Sequence, residues 1–167
     1  ITCVEYRLLV EEEFLVEDEV PKPQQEMEIV SGHKEETLSN LEAYMETRHY
    51  HAGETIYSRG DPGDELFWVR RGTVRLVASL EANKKKTVAS FGRGDLFGSM
   101  AFMERKTRPH DAIAVAETEV YVLARDKFQQ ITDNHKRLAF NMVNAMAHTL
   151  SARLRHLERK YAMLQEY

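Results

Sequence analysis

The stretch HAGETIYSRGDPGDELFWVRRGTVRL, residues 51–76, decides the fold. Three turn signals, AGE, RGDPGDE and RRG, separate short runs rich in Ile, Tyr, Phe, Trp and Val, which is the texture of β-strands joined by tight turns. Gly72, directly after Arg70 and Arg71, suits a hairpin that needs positive φ. Outward from this stretch the texture continues through EANKKK and GRGD as further turns, with TVRLVAS, TVASF, AIAVA and EVYVLA as further strands. Seven of the eight glycines fall between Gly53 and Gly98, so the turns are concentrated here. Turns about every 8–12 residues predict an all-β sandwich or barrel. The lysine run Lys84–Lys86 reads as a solvated hairpin tip.

Helical patterns flank the β region. Residues 1–16, ITCVEYRLLVEEEFLV, place Val4, Leu8 and Leu9 on one face and predict a helix. EDEVPKPQQE, with two prolines in three residues, breaks it, and residues 17–34 read as an acidic linker. A helix is predicted over 35–47, with Leu38, Leu41 and Met45 on one side. After Arg125 the spacing becomes helical again. Val143, Leu150, Leu157 and Leu164 recur every seven residues, with Ala147, Leu154 and Tyr161 between them. A helix of about 28 residues would be roughly 40 Å long. That exceeds what a small barrel needs for cover, so the seam is expected to pair with the same helix of a second chain, the alternative being that it packs on its own domain.

Composition limits the function classes. The chain has 167 residues, 43% hydrophobic and 30% charged, which is ordinary for a globular protein. No apolar run approaches the roughly 18–20 residues needed to cross a bilayer. Cys3 is the one cysteine, which excludes an internal disulfide and a Cys-based zinc site. A formal net charge of −4 has the wrong sign for a general nucleic-acid binder, so no nucleic-acid partner is expected of this chain. The charge is unevenly placed: residues 1–30 carry nine acids against two bases, and residues 134–167 carry six bases against two acids. The chain opens on Ile1 without an initiating Met or a signal-peptide core, and is expected to be a piece of a longer protein.

Helix, eight-strand β-roll and helical tail form the layout of the cyclic nucleotide-binding domain, and the motifs support this resemblance over residues 35–155. His51–Leu76 resembles that family's first strands and their Gly-Asp-Pro-Gly-Asp turn. GRGDLFG at 92–98 resembles the approach to its phosphate-binding cassette, and LARDKFQQI at 123–131 the return into the C-terminal helices. The resemblance implies a mainly β fold with flanking helices, an eight-strand β-roll (a double-stranded β-helix) with N-terminal helices and a long C-terminal helix. It also implies a cyclic nucleotide or another small anion as the class of ligand.

In that family the cassette reads Phe-Gly-Glu-x-Ala-Leu-Leu, then a loop, then Pro-Arg-x-Ala. The glutamate holds the ribose, while the arginine and the N–H groups of a short helix hold the cyclic phosphate. Carried over, Phe97 and Gly98 match, Ser99 takes the glutamate's place, and Met100, Ala101, Phe102 and Met103 keep the apolar turn. The arginine has two registers. Counted forward from Ser99 it is Arg108. Counted back from the next strand, Pro109-His110-Asp111-Ala112 aligns with Pro-Arg-x-Ala and His110 replaces it. The second register is preferred, since the proline, the alanine and the following β run all fall into place, and it sets Asp111 beside the phosphate position. Two lost contacts to charged groups cost roughly 3–6 kcal/mol at about 1.5–3 kcal/mol each. That is roughly a hundred- to ten-thousand-fold in affinity, so cAMP and cGMP are expected to bind weakly or not at all.

Other constellations are thinner. His49, His51 and Glu54 invite a cupin-like metal site. Only Ala52 and Gly53 separate His51 from Glu54, which is too short, and no metal site is expected. Neither a Gly-x-Ser-x-Gly elbow nor a Walker loop is present. No catalytic residue, and no enzyme activity, is expected. Trp68 reads as core or pocket wall, and Met142 and Met146 as packing rather than a ligand box. VEYRLLVEEE, before the linker and the roll, resembles the end of a STAS domain in sulfate-permease-type anion transporters, with Cys3 one position from that family's Cys-Glu-Asn-Arg-Leu-Leu pattern. The resemblance implies a regulatory domain on the cytoplasmic side of a membrane transporter. The alternative is the effector domain of a catabolite-activator-like transcription regulator.

Overall fold

The computed structural model describes residues 41, 43–79 and 85–165. The expected helix over 1–16, the linker over 17–34 and most of the helix over 35–47 lie outside them. Eight strands run β1 (Glu46–Tyr50), β2 (Thr55–Tyr57), β3 (Glu65–Arg71), β4 (Val74–Ser79), β5 (Lys85–Phe91), β6 (Leu96–Phe97), β7 (Asp111–Ala114) and β8 (Thr118–Ala124). A short helix α1 (Ser99–Glu104) interrupts them, and α2 (Arg125–Asn134) and α3 (Lys136–Gln165) follow. The strands form two four-stranded antiparallel sheets, ordered β1-β8-β3-β6 and β2-β7-β4-β5. This is the expected mainly β roll with flanking helices.

The burial of each strand follows from what covers its two faces. In β3, Leu66, Phe67, Trp68 and Val69 are all buried, because side chains alternate across a sheet that is covered on both sides. Phe67 and Val69 point between the sheets with Val74, Phe91, Phe97, Ala112, Val120 and Val122. Leu66 and Trp68 point the other way, into a second cluster with Leu123, Phe102, Ile131, Leu138, Met142 and Met146. The helices therefore lie on the outer face of the first sheet. Trp68 is thus core rather than pocket wall, and Met142 and Met146 are packing residues as read from the sequence. In strand β4 of the second sheet, Val74 and Leu76 pack into the cluster between the sheets, Arg75 is half-buried, and Val77 is buried outside that cluster after an irregularity in register.

Three local expectations are corrected. Glu46 and Thr47 belong to β1, paired with Val122 and Tyr121, so the helix predicted over 35–47 ends before them. Lys85 and Lys86 are not a hairpin tip: they begin β5, opposite Ser79 and Ala78. The β4–β5 ladder supplies their backbone partners regardless of side chain. Two strands, β1 and β6, were not anticipated. The β3–β4 turn behaves as read: Gly72 has φ +94°, and a Cβ there would meet Thr118 Oγ1 at 2.5 Å.

Candidate ligand-binding cassette

The cassette is built where β6 runs out. Leu96 and Phe97 are buried, Phe97 stacking on Phe67 at 4.9 Å, and Gly98 then turns the chain with φ +82°. Only glycine fits, since a Cβ would meet Arg108 Nη1 at 2.8 Å and Phe67 Cδ2 at 3.2 Å. Helix α1 starts directly after it. Ser99, Ala101 and Phe102 are buried, while Met100 and Met103 are exposed. Arg105 closes the helix in a left-handed conformation at φ +54°.

The loop leaving α1 is zipped to the Gly-Asp-Pro-Gly-Asp turn. Gly60 N–H donates to Arg108 O at 2.9 Å, Arg108 N–H donates to Asp61 O at 2.8 Å, and Pro62 bridges Thr107. Gly63 sits so close to Ala101 that a Cβ would lie 2.6 Å from its side chain, which explains the glycine of that turn. Arg125, at the head of α2, locks the arrangement. Its Nε donates to Asp64 Oδ1 at 2.9 Å, its Nη2 to Phe102 O at 2.7 Å and to Gly63 O at 3.1 Å, and its guanidinium lies 4.3 Å over the Phe102 ring. One side chain thus joins the β2–β3 loop, α1 and α2.

Arg108 is the side chain that reaches the cassette turn. It is only 2% exposed. Its Nη1 donates to Gly98 O at 2.8 Å and its Nη2 to Glu65 O at 2.6 Å. The guanidinium lies 4.3 Å from the Tyr57 ring centroid and 5.5 Å from that of Phe67. Its Nε is buried without a hydrogen-bond partner. Burial holds its pKa below the ordinary arginine value, opposed by Tyr57, Glu65, Asp64 and Asp61. Tyr57, mostly buried, has its phenol pushed up to about 12. Tyr57, Phe67, Phe97 and Phe91 fill the space between the sheets below this turn. From α3, Arg153 places its guanidinium 4.2 Å over Phe91.

Phe97, Gly98, Ser99, Ala101 and Arg108 therefore come together, and Met100 faces outward. His110 is half-buried, its pKa lowered by burial and by Arg59 against the pull of Asp111. Asp111 Oδ1 accepts from Arg59 N–H of the β2–β3 loop at 2.8 Å. His49 and His51 are exposed, with His51 Nδ1 3.0 Å from Glu117 Oε1. The sequence reading missed Tyr57, Glu65, Arg125 and Arg153. Tyr57 and Arg125 stood next to recognised motifs, but the carbonyl of Glu65 left no signal, since a backbone acceptor is independent of residue type.

Two antiparallel sheets closed into a roll, with a short helix after β6 and a buried arginine on its turn, define a cyclic nucleotide-binding fold. The cyclic nucleotide-binding domain family model matches residues 47–135, and the chain belongs to that family. It is 32% identical over 108 residues to the cyclic AMP receptor protein of Thermus thermophilus, covering 65% of this chain and 50% of that one. The chain thus spans half the length of that relative. The crystal structure of the T. thermophilus catabolite activator protein superposes with a TM-score of 0.71 at 29% identity, over 82% of this chain and 62% of that one. A cyclic nucleotide-binding domain from Methylobacillus flagellatus gives a TM-score of 0.73 at 25% identity, over 86% and 83% of the two chains. Among the described residues, no helix is long and apolar enough to cross a membrane.

Proposed function

We propose that this chain is a regulatory, non-catalytic module that binds cAMP and cGMP weakly or not at all and acts as a homodimer through residues 143–164 of α3. One observation carries the reading: the two terminal nitrogens of Arg108 are already donated to Gly98 O and Glu65 O, and Ser99 stands where the family has a ribose-binding carboxylate. Two of the five guanidinium N–H groups are thus held by backbone carbonyls, and a cyclic phosphate meeting the rest would find no carboxylate to hold the sugar, one charged hydrogen bond fewer at about 1.5–3 kcal/mol. His110, neutral at pH 7 with its lowered pKa, adds no compensating charge. The state of the module passes to its parent through α3, which follows the cassette by way of Arg125 and α2. Calorimetric titration with cAMP and cGMP at pH 6 and pH 8 tests this. No heat up to about millimolar ligand, a binding free energy near −4 kcal/mol, is the expected result, and micromolar binding at either pH overturns it.

Two parents fit the module. The sequence resemblance in Val4–Glu13 to the end of a STAS domain supports a membrane anion transporter with this roll on its cytoplasmic side. The similarity to the T. thermophilus receptor supports the effector and dimerisation half of a transcription regulator. Membrane-spanning segments before Ile1 in the gene select the first, and a helix-turn-helix after Tyr167 selects the second.

A further inference from the structure

Helix α3 has three faces, of which the core and the proposed dimer seam account for two. At about 100° per residue, Leu138, Met142, Ala145, Met146 and Thr149 form the buried face. Val143, Leu154, Leu157, Tyr161 and Leu164 form the exposed apolar seam. Arg137, His148, Arg155 and Arg159 lie together on the third side, all exposed. With the seam as origin, Arg155 and Arg159 sit about 120–160° round the helix, and the buried face about 240°. The helix carries six basic residues and one acidic residue, Glu158.

Five carboxylates elsewhere in the described residues are engaged close to home. Glu46 and Glu65 hold Arg48, Asp64 holds Arg125, Glu119 holds Arg70, and Glu117 meets His51. The chain has a concentrated source of opposite charge in Glu11–Glu28, with eight acids and one base, a formal −7. We propose that this acidic segment docks on the Arg137–Arg159 stripe of its own α3.

The reach is sufficient. Leu41 is buried in the same cluster as Leu138, Ala139 and Met142, and Tyr44 meets His135 edge-on at 5.9 Å, so the chain enters the domain beside the start of α3. Arg155 lies 13 residues beyond Met142, about 20 Å along the helix. Glu28 lies 13 residues before Leu41, and that length spans up to about 45 Å when extended. Charge complementarity at this range is a screened Coulomb attraction, so the contact belongs to low and physiological salt. Docked there, the segment ties the N-terminal side of the chain to the helix that carries the dimer seam, without covering that seam.

Cys3 is the one cysteine and accepts a nitroxide spin label on the full chain. In about 0.02 M salt the label is expected to erase the amide signals of α3 around Arg155 and Arg159. The signals return in about 0.5 M salt, where the Debye length falls to about 4 Å. They also return in the double variant Arg155→Glu, Arg159→Glu, whose unchanged β-roll signals show that it is folded. Signals that survive the label at low salt overturn the proposal, as do signals lost independently of salt and charge reversal. A mixture of spin-labelled unenriched chain with unlabelled isotope-enriched chain separates the remaining case. Loss in that mixture equal to the loss within one chain assigns the contact to a second copy and overturns docking on the chain's own helix.

Discussion

At the scale of single residues, the cassette turns on Ser99 and Arg108. Ser99 is 2% exposed in the position where the family's carboxylate would stand, next to a guanidinium whose two terminal nitrogens are already bonded to backbone carbonyls. Ser99→Glu would supply both a ribose acceptor and a competitor for Arg108. One charged hydrogen bond, about 1.5–3 kcal/mol, should raise cAMP affinity by roughly 10- to 150-fold, read by titration calorimetry against the parent chain. His110 makes a pH prediction. Burial lowers its folded pKa below the 6.5 of the unfolded chain, so the unfolded state binds more protons as pH falls. Stability from this group is complete above pH 6.5 and declines as pH drops towards the folded value. His110→Gln should flatten the unfolding midpoint between pH 7 and pH 5. His51 works in the opposite sense: Glu117 raises its pKa, so its contribution is present below pH 6.5 and lost as pH rises. A variant with an unchanged acid slope would show that His110 does not carry it.

At the scale of elements, the cassette is a joint between the β2–β3 loop, α1 and the start of β7, and Arg108 is its pin. Its backbone zips to Asp61 and Gly60, its side chain spans to Gly98 and Glu65, and its flat face rests on Tyr57. Arg108→Ala removes the side-chain donor from Glu65 O, leaves Gly98 O with only its longer bond from Phe102 N–H at 3.3 Å, and opens a gap beside an aromatic ring. One unsatisfied buried acceptor costs about 1–3 kcal/mol, so a loss of that order is expected in urea unfolding. A loss below about 0.5 kcal/mol, the range of ordinary surface changes, would mean that the arginine is free for a ligand after all. Arg125 joins the same loop and α1 to α2. Gly63 and Gly98 are both required by close approach, and Gly98 by its positive φ as well.

At the scale of the whole molecule, α3 is the element with unfinished business. Leu154, Leu157 and Tyr161 are 58%, 62% and 65% exposed, on a helix that continues well past the last fully buried residue, Thr149. An apolar seam of this length is covered most simply by its own copy, in heptad register. Replacing Leu154 and Leu157 by Glu should convert a dimer to a monomer in sedimentation equilibrium with the β-roll intact. The substitutions touch no described core residue, so a monomeric parent chain would remove the dimer from the proposal rather than implicate misfolding.

The sequence by itself determined the class of fold and the degenerate look of the cassette. Turn glycines, alternating β runs and an ordered series of motifs are local signals, and each is written in consecutive residues. Gly72 announced its hairpin, Ser99 its missing carboxylate and Val143–Leu164 their seam. Strands β1 and β6 escaped because Glu46–Tyr50 is largely exposed and Leu96–Phe97 is only two residues long, so neither carries a readable alternation. The register of Arg108 against His110 was counted along the chain, where a proline and an alanine favoured the histidine. Only the tertiary structure put Arg108 on the Gly98 turn, because that choice rests on two backbone carbonyls and the ring of Tyr57, brought together from residues 43 and 51 positions away in sequence. Such partners are defined by the closing of the roll, and no spacing within the loop encodes them.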